Sequence, residues 1–216
     1  MRRESKLAGA VIIAATLALS GQVPVEPVPL PLIEARAIPP GVPITPLTPK
    51  EKAALTLRNT FGINAIFNRA LFSMYDQLVD SPEEWPGTAE GYGMRLGASM
   101  GRLASRNALL LGGNVAFKLD PRYDRCSCSG FLPRTRHAVK RVLVARRDNG
   151  GQMVNIPRLT AAYVSPIISN QWMPDRYNNW TNHYQMGTGH LGWTAAGNML
   201  REFWPDISRK MPFRRK

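Results

Sequence analysis

Side chains able to do acid–base or nucleophilic chemistry are few and scattered. The histidines are His137, His183 and His190, the bases closest to neutrality. His183 and His190 stand seven apart, so a helix puts them on one face, but no third histidine or carboxylate follows at ligand spacing. They read as polar residues of a glycine-rich interface, and the expectation is no metal and no cofactor. Glu83, Glu84 and Glu90 stand near Trp85 and Tyr92, carboxylates beside an aromatic platform of the kind glycoside hydrolysis uses. Acidic residues at a helix start also complement the macrodipole. Cys126 and Cys128 are one residue apart; in an oxidising compartment they close a tight disulfide or stay as thiols, and two thiolates are half of a structural zinc site. G-x-S-x-G, H-E-x-x-H, phosphate-loop and C-x-x-C-H patterns are absent. The sequence names no reaction.

A recurrent punctuation carries more. Asp80-Ser81-Pro82, Asp120-Pro121-Arg122-Tyr123, Pro174-Asp175-Arg176-Tyr177 and Trp204-Pro205-Asp206 end successive apolar segments. Proline stops a helix and Asp caps the next segment, so turn chemistry accounts for all four. If the helices run up and down with short connections, the second and fourth exit at the same end. That arrangement gathers Asp120, Arg122, Tyr123, Asp175, Arg176 and Tyr177, joined by Arg134, Arg136 and His137, into a candidate binding site.

The elements that must position these groups come after a leader. Arg2, Arg3 and Lys6 precede an apolar run from Leu7 to Leu19, and Ala18-Leu19-Ser20 has the small residues of a cleavage site. Residues 1–20 read as a signal peptide, which places the protein in the periplasm or cell envelope, associated with a membrane. Of the formal charge of +13, loss of Arg2, Arg3, Lys6 and Glu4 leaves +11 on 196 residues. An exported basic chain points to an anionic membrane surface or an acidic envelope glycan as partner, not to nucleic acid.

Nine prolines between residues 22 and 49 make 21–48 an extended linker that neither helix nor sheet accommodates. Thr48-Pro49-Lys50-Glu51 has the layout of a capping box with proline at the first helical position. A helical domain is expected over 49–208, with a basic tail at 209–216. The first helix runs to about Val79 and the second from Thr88 to Phe117. In the second, Ala89, Gly93, Gly97, Gly101 and Ser105 recur every fourth residue, with Arg95, Arg102 and Arg106 about half a turn away. That spacing predicts a smooth helix-packing seam, suited to close approach or a homo-oligomer, opposite a cationic face.

From Arg134 to Arg147 the pattern fits a helix, while alternation around Asp148-Asn149-Gly150-Gly151 fits a short β-hairpin at about 139–156. Leu159–Pro174 and Tyr177–Leu200 carry no Asp, Glu, Lys or Arg and give the fourth and fifth helices. Polar residues such as Asn178, Asn182 and His190 interrupt the last segment, which disfavours a spanning helix and leaves a membrane-lying hairpin as the alternative. The fold class is mainly α: a bundle of about five helices packed through small residues.

Asp120-Pro121-Arg122-Tyr123, Gly130-Phe131, Arg134-Thr135-Arg136-His137-Ala138, Ile168-Ser169-Asn170 and Glu202-Phe203-Trp204-Pro205-Asp206-Ile207 resemble the signature of a family of uncharacterised, leader-bearing bacterial proteins. The resemblance covers about residues 75–210, implies export and a shared fold, and brings no activity. The two cysteines lie in an insertion peculiar to this member. The sequence therefore reads as an exported, envelope-associated helical protein with a structural or binding role. The alternative is an envelope enzyme acting on an anionic glycan or lipid at the Arg/Tyr/Asp end.

Overall fold

The computed structural model describes residues 37–40 and 45–210. The leader, most of the linker and residues 211–216 of the tail lie outside them. Among the described residues, α1 spans Pro49–Phe61, α2 Ile63–Leu78, α3 Ala89–Ala116, α4 Phe131–Leu143, α5 Ile156–Ser169 and α6 Trp180–Lys210. Short strands β1 (Ala37–Ile38) and β2 (Tyr123–Asp124) pair in parallel, and β3 (Val144–Arg146) and β4 (Gln152–Val154) form an antiparallel hairpin. The fold is a mainly α bundle. The central helix α3 packs on α1, α2 and α5, while α6 packs on α4 and α5.

The capping box forms as expected. Thr48 Oγ1 accepts the Glu51 N–H at 3.3 Å, and Glu51 Oε2 accepts the Thr48 N–H at 2.7 Å. The helix it starts does not reach Val79 unbroken. Gly62 leaves the helical region (φ −67°, ψ 153°), and a Cβ there would lie 2.3 Å from the Arg58 carbonyl oxygen, so glycine permits the break that separates α1 from α2.

Two further expectations are corrected. The linker is tied to the folded part where Ala37 and Ile38, lying between prolines, keep amides to pair with: Ala37 aligns with Tyr123 and Ile38 with Asp124. Pro205 lies inside α6 rather than ending a helix. Its missing N–H frees the Arg201 carbonyl, and Arg125 Nε donates to that oxygen at 3.0 Å. The helix and the hairpin expected around residues 134–156 are both present, because α4 stops at Leu143 and β3 begins at the next residue.

The small-residue seam is mostly not a packing face. A Cβ on Gly93 or Gly97 would meet nothing within 4 Å, Ala89 is exposed, and among the glycines of the stripe only at Gly101 would a Cβ meet a neighbouring ring, that of Trp172, at 3.1 Å. The close helix contacts lie elsewhere: at Gly113 against Pro157 and at Gly187 against the Tyr163 ring. The expected cationic face turns inward, for Arg95 and Arg102 are buried. Arg95 donates to the carbonyl oxygens of Ser81, Pro82, Trp85 and Pro86 and to Gln77 and Asp80, closing the loop between α2 and α3. A guanidinium has five donors in a rigid fork, which suits a ring of carbonyls better than any other side chain.

The hairpin also decides the topology of the bundle. Asp120 N–H donates to the Arg146 carbonyl and Leu119 bridges Arg147, so the chain returns to the end where α3 stopped before α5 begins. Consequently α3 and α5 are antiparallel, with Gly113 beside Pro157 and Gly101 beside Trp172. The second and fourth expected helices exit at opposite ends.

Candidate functional site

Asp120, Arg122, Tyr123, Arg134 and His137 gather at the hairpin end. Asp120 accepts from Arg122 Nη2 at 2.7 Å and from its Nε at 2.9 Å. Tyr123 O–H donates to Glu202 Oε2 at 2.7 Å, and Arg134 contacts Glu202 Oε1 at 3.3 Å and Asp206 at 2.5 Å. The Cys126 N–H, in the loop closed by the Cys126–Cys128 disulfide, points at both Glu202 oxygens at 3.2 Å. His137 Nε2 lies 2.9 Å from the Asp124 carbonyl oxygen, and Arg136 is exposed. Burial, reinforced by the Glu202 carboxylate, pushes the Tyr123 phenol far above its ordinary value, which makes it a poor proton donor.

Asp175, Arg176 and Tyr177 sit at the opposite end. Arg176 pairs with Glu84 at 2.9 Å and Glu83 at 3.5 Å, and its guanidinium lies over the Tyr177 ring. Two of the carboxylates considered for glycoside chemistry are thereby engaged, and Trp85 is buried. The nine-residue site is two separate clusters, because α3 and α5 run antiparallel. His183 is buried edge-on to Trp180 with neither ring nitrogen hydrogen-bonded, while His190 faces the bundle interior. Among the described residues no group of three metal-ligating side chains forms, and no helix is long and apolar enough to cross a membrane.

Between the helices lies a feature that residue spacing did not reveal. A partly open cavity of about 390 Å³ is lined by residues of all six helices and the hairpin. Its wall carries seven arginines, Arg69, Arg106, Arg122, Arg141, Arg146, Arg158 and Arg201, against two carboxylates, Glu51 and Asp120. Both carboxylates are engaged, Glu51 with the Thr48 cap and Asp120 with Arg122. Arg141 is held by Asp124, outside the cavity lining. Among the described residues Arg158 and Arg201 have no carboxylate partner, and the Nε of each is buried without a hydrogen bond. Burial, with Arg201, Arg106 and Arg141 adding like charge, pulls the Arg158 guanidinium down to about 10. Arg201 is also lowered, by burial.

The helices fix these guanidiniums in place. Asn155 caps α5 through its side chain, setting Arg158 one turn in, and Asn198 Oδ1 accepts from Arg201 Nη1 at 3.1 Å. Leu55, Leu103, Leu110, Leu191 and Trp193 supply apolar wall between the cations. The available signal in the sequence was that Arg158 and Arg201 bound the two charge-free segments, one at the start of the first and the other at the end of the second. No protein family, curated protein or solved structure matches the chain.

Proposed function

We propose that this chain is an exported, envelope-associated binding protein that holds an anionic ligand in its arginine-lined cavity. The observation that carries the reading is the pair Arg158 and Arg201, two guanidiniums with buried, unpartnered Nε donors in a wall of seven arginines. Buried charge without a counter-charge is costly, and an anion accepting those donors removes the cost. Envelope association is supported by the leader pattern and by apolar side chains that α1 and α2 turn outward. Ile63, Phe67, Leu71, Met74 and Leu78 all stand exposed along α2, a patch of the kind that marks an interaction surface. The enzyme alternative has less support, since Glu202, Tyr123 and Arg134 at the hairpin end already satisfy one another.

The test is thermal unfolding in phosphate and in chloride at equal ionic strength. A saturable rise in melting temperature with phosphate is expected, because a ligand that binds only the folded state stabilises it by mass action. Identical melting curves in the two salts refute anion binding. Native-host fractionation tests the location: recovery in the cytosolic fraction with Met1 intact overturns export.

A further inference from the structure

We infer that the cavity's ligand is a phosphate monoester carrying an apolar body, its head held by Arg158 and Arg201 and its body laid against Leu103, Leu110, Leu191 and Trp193. The inference rests on the proposed binding role and adds the chemical class of the ligand.

Three observations lead to it. The first is charge. Arg158 and Arg201 are two guanidiniums without a carboxylate partner among the described residues, each with a buried Nε that makes no hydrogen bond, so one negative charge neutralises only half of the pair. A carboxylate brings one charge; a phosphate monoester at pH 7 brings about −1.5 to −2, and its three terminal oxygens accept from several guanidinium N–H groups at once.

The second is volume. About 390 Å³ lies in the range of sites for whole small molecules, and a bare phosphate occupies only a small part of it. The third is the wall itself. Leu55, Leu103, Leu110, Leu191 and Trp193 line the same space as the arginines; filled only by water around a phosphate, they keep their hydration cost, which an apolar body removes. The union of a strongly cationic locus with leucine and tryptophan wall matches a molecule with both parts. No bond is made or broken in this proposal.

Isothermal titration of the full chain with octyl phosphate below its micellar concentration, inorganic phosphate, octanoate and octanol tests it. Octyl phosphate should bind at least tenfold more tightly than inorganic phosphate, the effect of burying about two methylene groups. It should also bind at least tenfold more tightly than octanoate, and octanol should not compete. Arg158→Met should weaken octyl phosphate and inorganic phosphate alike by tenfold or more. Leu191→Gln should weaken octyl phosphate toward the affinity of inorganic phosphate and leave the latter unchanged.

Inorganic phosphate binding as tightly as octyl phosphate removes the apolar body and leaves the anion-binding reading intact. Octanoate equalling octyl phosphate removes the phosphate head. Failure of every anion to bind the folded wild type overturns this inference and the binding function together. If Leu191→Gln does not fold, Leu110→Asn puts the same question from α3, and the affinity ratio of octyl phosphate to inorganic phosphate on the wild type needs no variant.

Discussion

Replacing Arg158 by methionine should stabilise the empty protein while destroying its ligand binding. Methionine retains an apolar stem of similar reach and removes the charge; the Arg158 backbone N–H to the Asn155 cap is unaffected. The guanidinium's fall from 12.5 to about 10 means that the folded state disfavours its charged form. At about 1.4 kcal/mol per unit, that disfavour is on the order of 3 kcal/mol. Some of Arg158 remains accessible and the lost stem contacts count against the variant, so about 2 kcal/mol of net stabilisation is expected, within the range seen when buried charges are replaced by hydrophobic residues.

The sign is fixed by the direction of the shift. For a base whose folded pKa is depressed, the penalty is complete below about 10 and fades as pH rises from there toward 12.5, so it is fully present at pH 7. For a domain of this size each kcal/mol moves the melting temperature by about 2 to 4 °C, and the variant should melt about 4 to 8 °C above wild type in chloride buffer. Octyl phosphate should then reverse the order: a ligand at one hundred times its Kd adds about 2.7 kcal/mol to the wild type and nothing to a variant that cannot bind it. Calorimetric or circular-dichroism melts with and without the ligand measure both effects. A variant that melts lower than wild type by several degrees in chloride shows that Arg158 is favourably held in the empty protein, with no uncompensated charge for a ligand to relieve.

On α3, Gly97→Ala should raise stability by up to about 1 kcal/mol, since its Cβ meets open space and alanine is the better helix former; Gly113→Ala, which drives a Cβ to within 2.5 Å of Pro157, should cost about 1 to 3 kcal/mol by denaturant titration. Burial pushes the Asp76 carboxyl up to about 6 against the pull of Arg102, Arg95 and Arg69, so the protonated form favours folding: the contribution is complete below about 4 and is lost as pH rises through 6. Asp76→Asn should therefore melt higher than wild type at pH 8, by the equivalent of up to about 3 kcal/mol, and at nearly the same temperature as wild type at pH 4. Glu202→Ala should cost about 2 to 3 kcal/mol, because it removes the acceptor of the Tyr123 hydroxyl and the Cys126 N–H while Arg134 keeps Asp206, whereas Tyr123→Phe should cost about 1 kcal/mol; urea melts of both variants check the ratio.

What the sequence showed, and what it hid, divides along the range of the forces involved. The Thr48 capping box, the extent of α3 from Ala89 to Ala116, and the hairpin signal at Asp148-Asn149-Gly150-Gly151 are local, set by residues close in sequence, and they are legible. The end at which a helix exits is not local. It turned on whether α4 continued through Val144, and a two-fold ambiguity over a few residues reversed the direction of α5 and separated Tyr123 from Tyr177. The Gly93, Gly97 and Gly101 stripe misled for a related reason. Spacing identifies a face but not its neighbour, and burial on α3 went to Arg95 and Arg102, whose guanidiniums had loop carbonyls and the bundle interior to occupy.

The cavity was invisible for the strongest version of that reason. Its arginines are drawn from positions 69 to 201 and from every layer of the bundle, and each alone looks like a solvated charge on an amphipathic helix. Only the folded chain turns them toward one space. This inversion runs through the molecule: Lys52, Arg69, Arg95, Arg102, Arg141 and Glu202 are buried, while Ile63, Leu78, Phe131, Leu132 and Trp180 are largely exposed. Most buried charges here have a specific partner, as Lys52 has Asp148 at 2.7 Å and Arg141 has Asp124. Arg158 and Arg201 depart from that pattern, since neither has a carboxylate partner among the described residues and both line a space of ligand size. A purely structural polar core has no use for such an exception, whereas a binding site requires donors left open for its ligand.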